Sequence, residues 1–159
     1  MRNRVAIAFV AVLAGCASYG GGSLPPGAPE AQVRSVMGAP ALEFPNADGS
    51  RRLVYPRGPL GTQTFMADID PNGILQSITP VLSDDSFYQV KPGMTREQVL
   101  RTIGPPGEAM YFARTNQDAW DYRYQDTWGY VAIFSVNLDK ASGQVVSTFK
   151  RRLERDRGR

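Results

Sequence analysis

The sequence predicts an α+β fold built from two tandem modules, each a short helix packed on an antiparallel β-meander. The first observation is an internal repeat. Gly27-Ala-Pro-Glu-Ala-Gln32-Val33-Arg-Ser-Val-Met37-Gly38-Ala-Pro40 aligns with Gly93-Met-Thr-Arg-Glu-Gln98-Val99-Leu-Arg-Thr-Ile103-Gly104-Pro-Pro106 at a constant offset of 66. With small gaps the match continues through Tyr55 and Tyr122, Phe65 and Phe134, Asp70 and Asp139, and Gly73 and Gly143. The second observation is that each copy opens on a helix-period run stopped by glycine and proline. The third is that alternating apolar and polar residues follow in both copies, broken by turn residues. A duplication accounts for all three, with a period longer than solenoid repeats use.

The second helix carries the stronger signals. Thr95 with Gln98 three residues on is a capping box, and Met94 with Val99 forms a hydrophobic staple. Val99, Leu100 and Ile103 give a narrow apolar face, and Gly104-Pro105-Pro106 stops the helix. In the first copy Pro29 replaces the capping threonine, a position where the first turn tolerates proline. Strands are predicted at Arg51–Tyr55, Thr62–Ile69 and Ile74–Ile78. Their counterparts are Trp120–Tyr124, Tyr130–Leu138 and Gln144–Phe149, where Trp120, Tyr122 and Tyr124 share one face. Asn72-Gly73 is expected to supply the positive φ values of a hairpin turn.

At the N-terminus Arg2 and Arg4 precede an apolar run from Val5 to Leu13. The pattern is that of a secretory signal, and is too short to span a membrane. Leu13-Ala14-Gly15-Cys16 resembles the lipobox of bacterial lipoproteins. The resemblance implies cleavage before Cys16, lipidation of its sulfur, and acylation of the new N-terminus, palmitate included. Residues 1–15 are thus read as signal peptide and 16–26 as a Gly/Pro-rich tether. Residues 27–80 and 81–149 are the two modules, and 150–159 a basic tail. Ala17 follows Cys16 in place of the aspartate that retains such lipoproteins at the inner membrane; with the family resemblance given below, this implies the periplasmic face of an outer membrane.

Composition prunes the chemistry. There is no histidine and one cysteine, which excludes His-based acid–base or nucleophilic catalysis, His-ligated metals and an internal disulfide. Loss of Arg2 and Arg4 with the signal lowers the net charge from +3 to about +1, so the basic pI carries no nucleic-acid argument.

The pattern Gly93-Met94-Thr95-x-x-Gln98-Val99-x-x-x-Ile103-Gly104-x-Pro106, followed by Trp120-x-Tyr122 and an apolar strand, resembles the SmpA/OmlA (BamE-like) domain of outer-membrane lipoproteins. The resemblance covers 91–149 well and 27–78 loosely. It implies a helix on a three-stranded antiparallel sheet, no enzymatic activity, no cofactor, and contact with barrel-assembly proteins and anionic lipid. Tandem copies also resemble β-lactamase inhibitor proteins of the same superfamily. That implies the alternative of an inhibitor-like module capturing an enzyme or cell-wall-associated partner between the copies.

Trp128, in the turn 125–129, is the candidate partner-binding residue, together with Tyr130. Lys150, Arg151 and Arg152 are candidate contacts for anionic headgroups. Asp84-Asp85 and Asp118/Asp121 imitate catalytic carboxylate pairs, but solvated turn or cap roles are expected for them. Asp68-Ile-Asp70-Pro-Asn72-Gly73 imitates a calcium loop, but position 12 is Thr79 and no helix follows, so no metal is expected.

Overall fold

The structure, a computed structural model, describes residues 24–153. The signal segment, Cys16 and residues 154–159 lie outside the described residues. Among those described, the order is α1 (Glu30–Met37), β1 (Leu42–Pro45), β2 (Arg51–Pro56), β3 (Thr64–Ile69) and β4 (Leu75–Pro80). Then come α2 (Asp84–Gln89), α3 (Arg96–Ile103), β5 (Glu108–Phe112), β6 (Gln117–Gln125), β7 (Val131–Asp139) and β8 (Val145–Arg152). The strands form two four-stranded antiparallel meanders, β1-β2-β3-β4 and β5-β6-β7-β8. The α+β architecture of two modules is as the sequence predicts, with one more strand per sheet than the resemblance implies.

The modules repeat each other bond for bond where helix meets sheet. Gly27 N–H donates to Leu75 O, and Gly93 N–H to Val145 O, both at 2.8 Å. Leu75 N–H returns to Ala28 O as Val145 N–H returns to Met94 O. The isolated bridges Pro29–Ile74 and Thr95–Gln144 occupy matching places. One ion pair recurs with its charges exchanged. Glu30, first residue of α1, bonds Arg51, first residue of β2, at 2.5 Å. In the equivalent place Arg96 of α3 bonds Asp118 of β6, also at 2.5 Å.

Local chemistry explains the helices. Thr95 Oγ1 accepts from Gln98 N–H at 3.2 Å, while Gln98 Oε1 accepts from Thr95 N–H at 2.8 Å. Two orphan donors of the α3 terminus are thereby satisfied. Ser83 caps α2, accepting from Ser86 N–H, so Asp84 and Asp85 sit in a helical first turn, favourably placed for the helix dipole.

Packing is in four layers. Val33 and Met37 of α1 join Leu53, Tyr55, Ala67 and Ile69 on one face of the first sheet. On its other face Phe44, Val54, Met66 and Val81 pack with Leu100 of α3. The opposite side of α3, Val99 and Ile103, joins Tyr122, Tyr124, Phe134, Val136 and Leu138 of the second sheet. The predicted single apolar face is therefore divided: Leu100 turns to one sheet, Val99 and Ile103 to the other. α2 completes this layer through Phe87, stacked on Phe134 at 4.2 Å and edge-on to Tyr124 at 4.7 Å.

Two boundaries differ from the sequence reading. Leu24 is buried with the first module's core and Gly27 is tied to Leu75, so the tether ends before residue 24 rather than at 26. The basic tail does not begin at 150. The long β7 offers Ala132, Ile133 and Phe134 as partners for Arg152, Arg151 and Lys150, which extends β8 to Arg152. In the hairpin 70–73, Gly73 alone has positive φ (80°), and Asn72 does not. Gly73 N–H bonds Asp70 O, forming a type I turn followed by a left-handed glycine.

Gly104 ends α3 with φ 78° and ψ −169°, a region essentially reserved for glycine. A Cβ there would also lie 2.9 Å from Thr64 Cγ2 and 3.1 Å from Val54 Cγ1 across the module junction. Gly38 has the same backbone, φ 84° and ψ −164°, but open space around it. Gly38→Ala is expected to cost about 1–3 kcal/mol from backbone strain. Gly104→Ala is expected to cost about 1–3 kcal/mol more from overpacking. Chemical denaturation of the two variants measures the difference. Glu30→Arg places like charges at the α1–β2 contact and should destabilise by about 1 kcal/mol, with Arg51→Asp in the same chain recovering only the part due to Arg51, since the pair with Arg34 stays broken. The same denaturation series reads that rescue.

Candidate functional site

The β6–β7 hairpin closes through a four-residue turn, 126–129, built like the one at 70–73. Asp126 N–H bonds Tyr130 O, Gly129 N–H bonds Asp126 O, and Gly129 has φ 79°. The third position of such a turn points its side chain outward, and Trp128 occupies it. The indole is 77 % exposed and Tyr130, beside it, 48 %.

The turn beneath the indole is held firmly. One carboxylate oxygen of Asp126 accepts from both Trp128 N–H and Tyr130 N–H, each at 2.9 Å. Its second oxygen accepts from Arg152 Nε at 2.6 Å. The Arg152 guanidinium then lies over the Tyr130 ring, 5.0 Å from its centroid. Burial raises the Asp126 pKa, but the bonds from Tyr130, Arg152 and Trp128 outweigh it and hold the carboxyl below its ordinary value. An exposed tryptophan on a preordered turn loses little freedom on binding, which is what a protein-contact anchor needs.

The two sets of sequence-predicted residues thus meet at one end of the second sheet. Arg152 supports the turn that presents Trp128 and Tyr130. Each of the three cations faces a carboxylate: Lys150 bonds Asp84, Arg151 lies 3.6 Å from Asp121, and Arg152 bonds Asp126. Lys150 also sits over the Phe87 ring. Sequence reading did not find these pairings, because the acids lie 26 to 66 residues away.

The carboxylate groupings do not converge. Asp118 and Asp121 lie three residues apart on β6 and so project to opposite faces. Asp118 is gripped by Arg96 at 2.5 Å and Lys140 at 3.1 Å. Burial raises its pKa, but those two cations bring it below its ordinary value. Asp121 accepts from Ser135 Oγ. In the calcium-like stretch Asp68 is paired with Arg52 at 2.7 Å, while Asp70 accepts from Asn72 and Ile74 N–H, as a turn residue does.

Between the modules lies a cleft of about 210 Å³, lined chiefly by prolines and glycines including Pro56, Pro59, Pro105 and Gly107. Its one aromatic is Tyr122, whose hydroxyl donates to Gly104 O at 3.1 Å and is buried. Burial pushes the Tyr122 pKa well up. The corresponding connection in the first module presents Leu60 where the second presents Trp128. An aromatic groove across both copies, which the inhibitor-like alternative calls for, is not what this junction offers.

Fold and surface define a small α+β module that exposes one rigidly mounted aromatic turn. Residues 80–152 match the model of the outer membrane protein assembly factor BamE domain. The match covers the second module, where the motif around Gly93–Pro106 lies, and does not extend over the first. No curated protein and no solved structure matches the chain.

Asp126→Ala should free the turn. With Trp120→Phe as background, the Trp128 fluorescence anisotropy is expected to fall on that substitution. In the unsubstituted turn the carboxyl is depressed in the folded chain. Its contribution is therefore complete above the unfolded value, near 3.8, and lost as pH falls through the folded value. Anisotropy should hold steady from pH 8 to about 5 and drop only below about 4.

Proposed function

We propose that this protein is a non-enzymatic lipoprotein, anchored through Cys16 to the periplasmic face of the outer membrane. There it acts as a protein-binding accessory of β-barrel assembly. The observation that carries the reading is the BamE-domain match over 80–152, on the module that exposes Trp128 and Tyr130. These two residues are assigned the partner contact, with Asp126 and Arg152 holding them in place. The first module acts as a second unit of the same design, and duplication explains an ion pair repeated with exchanged charges.

Headgroup contact by Lys150, Arg151 and Arg152 plays the smaller part. A cation near an anionic surface gains about 1 kcal/mol. Here each must first give up a carboxylate partner, so little net attraction remains. Membrane attachment is assigned to the lipid on Cys16.

Affinity capture of the tagged full chain from mildly solubilised envelopes, read by mass spectrometry, tests the proposal. Barrel-assembly components are expected, with recovery cut about tenfold by Trp128→Ala, a loss typical of an anchor residue. Cys16→Ser should abolish membrane attachment. Recovery of an unrelated enzyme, or of nothing above background, would overturn the assembly role.

A further inference from the structure

Arg123 lies near the end of β6 and lines the 210 Å³ cleft between the modules. Its Nε is buried and has no hydrogen-bond partner. Among the described residues no carboxylate pairs with its guanidinium. Asp121, two residues back on the same sheet face, is already held by Ser135 Oγ and Arg151. A buried charged donor without an acceptor is costly, and an acceptor that reaches it is held strongly.

The rest of the lining says what such an acceptor looks like. Gln63 adds a carboxamide, while Leu82, Pro59 and Pro106 make the surface mainly apolar. The two modules meet closely here: a Cβ on Gly107 would lie 2.5 Å from Pro59 O. Proline fixes φ on both sides, so the cleft loses little freedom when filled. Its volume is below that of sites for drug-sized ligands and suits a single side chain. One guanidinium among prolines fits a carboxylate on a short apolar stem. A phosphate, more heavily hydrated, would lose its water without enough donors to replace it. Arg123 is also three residues from Asp126, about 10 Å along a strand, so the cleft lies close to the turn that presents Trp128. The loop on its other side exposes Leu60.

The geometry points to this cleft as the receptor for a glutamate side chain of a protein partner. Arg123 takes the carboxylate and the prolines take the methylenes. That the glutamate belongs to a protein rests on the partner-binding reading above; the carboxylate site itself does not.

The test titrates the full chain, in uncharged detergent, with N-acetylglutamate α-amide. The proton–nitrogen signal of Arg123 Nε–H, assigned by its loss in Arg123→Gln, is followed with the backbone amides of Gly58 and Gly107. Saturable shifts of all three are expected. N-acetylglutamine α-amide and inorganic phosphate should produce none. In Arg123→Gln the two glycine amides should report binding about tenfold weaker. Absence of a saturable shift in the unsubstituted chain would overturn the proposal. So would an equal response to the glutamine analogue or to phosphate, or an unchanged affinity in Arg123→Gln. The titration uses no partner protein, so its failure and a failure of the assembly role are read separately.

Discussion

α3 is wedged between two sheets, and the remainder of the structure depends on that position. A helix of eight residues is too short to be stable by itself in water. It holds here because Val99 and Ile103 are buried against one sheet and Leu100 against the other. Polar contacts lock the same junction. Arg52 donates to Arg101 O, and Arg101 reaches Asn46 and Pro45 O while lying over the Phe44 ring at 4.7 Å. Gly104 lets the chain leave the helix against Thr64 and Val54 without a side chain in the way. The modules are therefore not beads on a string; the second supplies the layer that covers the first.

This arrangement shows what the sequence could and could not disclose. Thr95, Gln98 and Gly104 announce α3 because caps and stops act through bonds a few residues long. The repeat disclosed the modular plan because matched glycines mark matched turns. β1 and β5 passed unnoticed: four or five residues of edge strand give too short an alternation to stand out. The division of α3's apolar residues between two sheets is invisible in a helical pattern, since Val99 and Leu100 are neighbours in both readings. Trp128 was legible as an exposed turn residue. The grip of Asp126 and Arg152 on that turn was not, because it depends on β8 pairing beyond Phe149.

The same extension of β8 changes what the basic residues are for. As a free tail, Lys150, Arg151 and Arg152 would read as a charge cluster seeking an anionic partner. As strand residues opposite Phe134, Ile133 and Ala132, they reach Asp84, Asp121 and Asp126. They thereby fasten α2, the outer face of the sheet, and the aromatic turn to a single strand.

The layer order also has an arithmetic to it. Where the first sheet offers Val54 and Met66 to α3, the second sheet has Asp121 and Ser135 at the matching register. Where α3 presents Leu100, α1 has Arg34, already paired with Glu30 and Glu43. Both outer faces of the stack have thus exchanged grease for charge at the very positions a third module would have to cover. A duplicated unit of this type could in principle be copied onward into a rod. Those polar substitutions cap the two faces of the described stack.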